Sequence, residues 1–343
     1  MKNIFYKLII LPTKDIYKKN NYKFLKNKKI LITGSTGLIG HYFIGFFYHS
    51  LNSKFSPKKI DLIHKSNLPN YLKPLNKIKK INFIKKDITK IDLKNDKYDY
   101  IIHLSSYGQP LKFLDKPLET FELNTEVLKK LLLKTKKKGG FLYLSTSEVY
   151  SGINKQNFED KIGNSNTNHI RACYIQSKLA GETLVNIFKR KFNINAKSAR
   201  LCLAYGPGNK QNDKRVLYQF IEKALTKSKI SMLDPGLNIR SYIYALDAVE
   251  MLINILFEGK DEIYNVGGKE IVSVKELAKK ISKLTNSNLY IPKKRKNNIG
   301  APNRSTVSIK KYESEFGKKI LFPLEAGLKY TIEWQKSLYN VKF

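Results

Sequence analysis

A tyrosine and a lysine four residues apart, Tyr174 and Lys178 in "HIRACYIQSK", form a pair able to move a proton. Four residues is one helical turn, so a helix here puts both side chains on one face. A phenol is a poor base, with a reference pKa of about 10. A neighbouring ammonium favours the phenolate and lowers that value. Such a pair could take a proton from a hydroxyl near neutral pH. The chain holds 21 tyrosines and 64 lysines plus arginines, so an ordinary amphipathic helix produces the same pair by chance. Its meaning depends on what accompanies it.

Two segments do so. "LSTSEVY", 144–150, ends an apolar run and offers the Thr146 hydroxyl and the Glu148 carboxylate. The spacing predicts an extended strand end, with both side chains pointing the same way into one cleft. "KKILITGSTGLIG", 28–40, reads as strand, glycine-rich turn and helix. Gly34 suits the tight turn, Gly37 lets backbone approach a pyrophosphate at the helix N-terminus, and Gly40 permits close helix–strand packing. In this context the glycines point to a dinucleotide site.

Further apolar runs follow at 59–64, 81–87, 98–106, 140–150 and 196–206, with helix-like stretches at 117–136 and 170–190. Strands alternating with helices imply an α/β fold built on a doubly wound parallel sheet. After residue 206 loops dominate, interleaved with helices at 214–227, 246–258 and 273–285. The expected organisation is a polar arm at 1–28, preceding the fold, and a Rossmann domain at 29–205, completed by about 241–266. A smaller substrate lobe would occupy 206–240 and 267–343. Asp87, at the end of the third run, is placed to bond the adenine. The second run ends in "IHKS" without the carboxylate that would hold the ribose 2′-hydroxyl of NAD; Lys65 and Ser66 suit a 2′-phosphate, so NADP is possible.

The formal charge of +36 raises a nucleic-acid partner. The lysines are spread along the whole chain, which speaks against it. Abundant Lys, Ile, Asn, Tyr and Phe fit drift in an AT-rich genome. Only seven arginines remain: Arg171, Arg190, Arg200, Arg215, Arg240, Arg295 and Arg304. Survivors of such drift mark sites that need a planar forked donor, as carboxylates and phosphates do. No apolar run reaches the roughly 20 residues that span a bilayer. Two cysteines and five scattered histidines suggest neither a disulfide framework nor a metal site. A reducing cytoplasm is the expected compartment.

From "TGSTGLIG", "IIHLSS", "STSEVY", "YIQSK", "YGPG", "RSYIYALDAVE", "YNVGG" and "APNRSTVSI", the chain resembles the extended short-chain dehydrogenase/reductase family of NAD-dependent nucleotide-sugar epimerases and dehydratases over about 28–335. "STSEVY", "RACYIQSK" and "DKRVLYQFIEKAL" look most like its UDP-glucuronate decarboxylases. Nucleotide-sugar 4,6-dehydratase and 4-epimerase are the alternatives, and a nucleic-acid-binding protein on the same fold a remote one. The resemblance implies Thr146, Tyr174 and Lys178 as a catalytic triad working through a 4-keto sugar, and Glu148, two residues after Thr146, is expected to join them as a catalytic residue. It implies NAD held by Gly34, Thr36, Gly37, Leu38, Ile39, Gly40, Lys65, Asp87, Ile88, Leu104, Ser105, Ser106, Asn124, Tyr174 and Lys178. It places the nucleotide sugar against Tyr107, Ser147, Arg215, Arg240 and Arg304. It also implies a homodimer through the helices at 117–136 and 170–190.

Overall fold

The computed structural model describes residues 1–19, 22–91, 96–293, 301–317 and 322–341. Six strands, β1 (Lys29–Thr33), β2 (Lys59–His64), β3 (Ile81–Lys85), β4 (Tyr98–His103), β5 (Thr135–Thr146) and β6 (Asn195–Leu201), join a later strand, Ile263–Val266, in one sheet. Every pairing is parallel, in the order Ile263–Val266, β6, β5, β4, β1, β2, β3. The order reverses between β1 and β4, and such a crossover point is where open α/β sheets bind ligands. The doubly wound Rossmann sheet expected from the sequence is therefore present.

Alternate side chains build two cores, as a strand period of two requires. Ile30, Ile32, Ile60, Leu62, Ile102 and Leu142 face one of them. Leu31, Ile63, Ile101, Phe141 and Tyr143 face the other. Against the second face pack α5 (Pro117–Asn124), α6 (Glu126–Leu133) and α7 (Ala172–Phe192). The helix expected over 117–136 is thus broken at Thr125, and a short α4 (Pro110–Asp115) precedes it. A third core gathers Tyr205, Leu217, Ile221, Met232, Tyr242, Leu277, Ile281, Leu328 and neighbours around a small four-stranded sheet centred on Ile239–Tyr244.

The first 28 residues overturn the reading of a polar arm. Helices α1 (Lys2–Phe5) and α2 (Leu11–Lys19), joined by a π-type turn at Tyr6–Ile10, lie across α3 (Leu38–Ser50). Phe5, Leu8, Ile9, Ile10 and Ile16 are all buried in the first core. The physical reason is α3 itself, which is apolar nearly all round and so needs cover on its outer side. At Gly45 the approach is so close that a Cβ there would lie 2.6 Å from Thr13 Oγ1. Lys7 pairs with Glu333 at 2.9 Å and Lys19 with Glu250 at 3.0 Å, tying this segment to two later helices. Phe5 also stacks on Tyr71 at 4.7 Å.

Phe5→Ala is expected to destabilise the protein by about 3–5 kcal/mol, the cost of a large core deletion. Urea unfolding of the two proteins checks this; a loss below about 1 kcal/mol would show that the segment is dispensable cover.

Candidate active site

The turn after β1 sets the floor of the site. Gly34 adopts φ +69, and a Cβ there would press on the Leu104 and Ser105 backbone at 3.0 Å. A Cβ on Gly40 would lie 2.5 Å from the Ser35 carbonyl oxygen. Larger residues at either point would spread the turn. Gly37 caps α3 in extended conformation, leaving the helix N-terminus open to the cleft. Bare amides at a helix N-terminus, backed by its dipole, suit a pyrophosphate. The residues present therefore fit a dinucleotide.

This turn opens into a cleft of about 1360 Å³. The structure brings nearly all of the sequence-predicted residues to its walls: Gly34, Thr36, Gly37, Leu38, Ile39, Gly40, Lys65, Asp87, Ile88, Leu104, Ser105, Ser106 and Tyr107, then Thr146, Ser147, Glu148, Tyr174, Lys178, Arg215 and Arg240. Two do not join the lining. Asn124 is buried behind it, its amide donating to Ser177 Oγ at 3.0 Å. Arg304 is occupied by Thr306 Oγ1 at 3.2 Å, and its strand neighbour Ser305 faces the cleft instead. Arg295 lies outside the described residues.

Lys65 and Asp87, expected to meet different parts of a dinucleotide, are ion-paired at 2.6 Å. Asp87 also caps the next turn through Thr89 N–H at 3.1 Å. Burial alone would raise its carboxyl; Lys65 and Thr89 outweigh that and hold it low. Ser66 accepts from Lys210 at 2.9 Å, so this end of the cleft is already bridged.

Tyr174 and Lys178 share one face of α7, both nearly buried. Their electrostatics differ from the expected ammonium-assisted phenol. Burial and then the Glu148 charge push the Tyr174 phenol up, while a hydrogen bond with Thr146 and the Arg171 cation pull it down. Lys178 donates to the Leu144 carbonyl at 2.7 Å and lies over the Tyr143 ring. Burial lowers its amine to about 7, opposed by the Glu182 carboxylate one turn along. The Tyr174 ring stacks flat on Phe113, with centroids 4.6 Å apart.

Glu148 is not on an extended strand end. β5 stops at Thr146, whose hydroxyl accepts from the Glu148 N–H at 3.2 Å, and Ser147–Tyr150 form a tight helical turn. A hydroxyl that caps the next turn ends the strand. The Glu148 carboxylate is gripped by Arg171 through Nε at 3.0 Å and through Nη2. Arg171 also lines the cleft; it lies inside the motif "RACYIQSK" and among the seven arginines, but sequence reading gives it no role. Arg240 is anchored by the carbonyls of Ile239, Pro302 and Asn303, and Arg215 by Asp213. Gln109 donates to Asp213 at 3.0 Å, which joins the two walls.

Behind the cleft, Arg200 forks onto Glu182 at 2.7–3.2 Å and donates to Tyr150 Oη at 2.9 Å. Ser145 donates to the same carboxylate at 2.6 Å. This network holds β5, β6, α7 and the 147–150 turn in one arrangement.

A parallel sheet, a glycine turn at its crossover and a Tyr–Lys helix beside it define a dinucleotide-binding protein of the short-chain dehydrogenase/reductase class. The profile of the NAD dependent epimerase/dehydratase family matches residues 30–267. The chain is 30% identical over 313 residues to UDP-glucuronic acid decarboxylase 3 of Arabidopsis thaliana, covering 90% of this chain and 89% of that protein. It is 28% identical to dTDP-D-glucose 4,6-dehydratase of Mus musculus, covering 92% and 91%. Its fold matches the UDP-glucuronic acid 4-epimerase of Bacillus cereus solved with UDP-glucuronic acid and NAD, at a TM-score of 0.75 and 22% identity, covering 91% and 100%. The chain belongs to the NAD-dependent epimerase/dehydratase family.

Glu182→Gln removes one partner of a buried ion pair. The expected cost is about 3–5 kcal/mol, because Arg200 is left buried and uncompensated. Chemical denaturation checks this; an unchanged midpoint would show that the pair is not what braces α7 against the sheet.

Proposed function

We propose that the chain is an NAD-dependent lyase of the UDP-glucuronate decarboxylase type, acting through a 4-keto nucleotide sugar. The observation that carries this reading is the meeting of Thr146, Tyr174, Lys178 and Glu148 in one cleft above the glycine turn. The 27–30% identity to several curated UDP-glucuronic acid decarboxylases supports the direction. In this reading the Rossmann part, 29–205 with 241–266, holds the dinucleotide. The lobe formed by 206–240 and 267–343 holds the nucleotide sugar.

Bound NAD would accept hydride from C4 and return it at the end. The protein's own part is positional and electrostatic. Tyr174 takes the proton of the C4 hydroxyl while Thr146, hydrogen-bonded to it, orients that oxygen. Lys178, deep in the cleft and close to neutrality, holds the nicotinamide ribose and passes protons onward. The C4 ketone is β to the C6 carboxylate, so the electrons of the C5–C6 bond can flow into the carbonyl as carbon dioxide leaves. Glu148, steadied by Arg171, is the carboxylate that serves this step. Arg240, whose anchors are neutral carbonyls, is the cation suited to the substrate's negative charge, and Arg215 stands nearby on the same lobe. A 4,6-dehydratase would use Glu148 to take the C5 proton, whereas a 4-epimerase has no need of it.

The cysteines Cys173 and Cys202 are unpaired, which suits a reducing cytoplasm. Among the described residues no helix is long and apolar enough to cross a membrane. Leu118 on α5 is 82% exposed, and Phe121 on α5 and Ile187 on α7 are also exposed. These residues suit an isologous homodimer interface. Sedimentation is expected to show a dimer at micromolar concentration, and monomer alone would contradict it.

UDP-glucuronate offered with NAD is expected to release carbon dioxide. No release from any uronate would remove the decarboxylase reading. Tyr174→Phe should abolish turnover while the protein still folds and binds NAD. Glu148→Gln should let reduced nicotinamide form and then persist, because the next step slows by about 10²–10⁴-fold. Normal turnover of Glu148→Gln would favour the 4-epimerase.

A further inference from the structure

We propose that Arg171 is a positioning residue for the first proton transfer: its guanidinium engages the Glu148 carboxylate and offsets part of the negative charge that Glu148 brings to bear on the Tyr174 phenol. This rests on the reading above that Tyr174 is the base. Two steps of the reaction make opposite demands on this spot. The later step needs a carboxylate in the cleft, whereas the first step needs a tyrosine that gives up its proton, which a bare carboxylate opposes.

The geometry answers both demands with one side chain. Arg171 lies three residues before Tyr174, and its carbonyl accepts the Tyr174 and Ile175 amides at 3.1 Å, so it opens the same helix. Its side chain is 4% exposed and meets Glu148 with two donors, a fork that lysine cannot reproduce. Its guanidinium lies over the Phe113 ring at 5.0 Å, the ring on which Tyr174 also stacks. Phe113 therefore fixes the cation relative to the phenol. Arg171 and Tyr174 are both buried, so uncompensated charge would act strongly on the phenol.

The groups around Tyr174 come from several elements. Arg171 and Lys178 lie on its own helix, Thr146 at the end of β5, Glu148 in the turn that follows it, Tyr143 within β5, and Phe113 on α4. Arg240, from the strand Ile239–Tyr244, is influenced by both Glu148 and Arg171 and so neighbours the pair. Among these, Glu148 opposes ionisation of Tyr174 and Arg171 favours it. Removing Arg171 therefore exposes the phenol to Glu148. Removing both charges abolishes that rise.

The experiment is the pH dependence of reduced-nicotinamide formation in a single turnover, with NAD-loaded protein and UDP-glucuronate. Arg171→Met keeps apolar contact with Phe113 and removes the charge. Its midpoint should rise by about one pH unit, with about tenfold slower reduction at neutral pH. The double variant Arg171→Met/Glu148→Gln should bring the midpoint back down, to the wild-type value or below it, because Glu148 acts on the phenol more strongly than Arg171 does. Glu148→Gln alone should lower it, because Arg171 is then unopposed, and this variant serves if Arg171→Met does not fold. An unchanged midpoint in the folded Arg171→Met, a double variant whose midpoint stays raised, or no fall in Glu148→Gln would each overturn the proposal. A wild-type protein that reduces nicotinamide while these midpoints do not move refutes the role of Arg171 alone. A wild-type protein that never reduces it refutes the base assignment, and this role with it.

Discussion

A single buried carboxylate, Glu182, organises the centre of the molecule. Arg200, 1% exposed, wraps it with three donor contacts and uses its remaining nitrogen on Tyr150 and on the Glu159 and Lys161 carbonyls. Tyr150 then donates to Asn265, whose amide reaches the Asn157 and Ser308 carbonyls. One ion pair thus links β5, β6, α7, the strand Ile263–Val266 and the chain near residue 308. A buried pair adds little net stability over an apolar substitute, but it is costly to half-remove. Its value here is specification: α7 has one position against β5, and that position aligns Lys178 and Tyr174 with the strand end carrying Thr146.

The same carboxylate tunes the cleft. Glu182 supports the charge of Lys178 one turn away, against a burial that drives the amine to about 7. His103, bonded to Thr33 at 2.8 Å, is kept neutral down to about 3 by burial and by Lys178. Acid–base groups near neutrality are arranged by placing like and unlike charges at short range in a low-dielectric interior. Glu148 with Arg171 repeats the pattern at the cleft wall. Both carboxylates near α7 are answered by an arginine, and both arginines belong to the few that the lysine-rich composition has kept.

Much of this was legible in the sequence. The β-branched runs, the glycine spacing at 34, 37 and 40 and the Tyr–Lys interval each depend on local rules, and each appears in the expected element. What local rules could not supply was context. "STSEVY" reads as strand, yet a hydroxyl cap at Thr146 turns it and sends Glu148 to an arginine 23 positions along the chain. The break at Thr125 is hidden inside one apolar pattern. Asn124 and Arg304, expected to hold cofactor and substrate, are absent from the cleft lining and bond Ser177 and Thr306 instead. Near the start of the chain, lysine density masks a helical stripe at Phe5, Leu8, Ile9, Thr13 and Ile16, all buried. That stripe follows the i, i+3, i+4 rule and was there to be counted.

The central claim is that the cleft removes hydride from C4 of a nucleotide sugar and later restores it. The most direct measurement uses UDP-glucuronate carrying deuterium at C4, mixed with the protein and NAD, with mass spectrometry of nicotinamide and sugar at successive times. The predicted result is transient deuterium on the reduced nicotinamide, followed by its return to C4 of a decarboxylated product. Loss of the deuterium to water, or a product formed with no label ever reaching the nicotinamide, would contradict it.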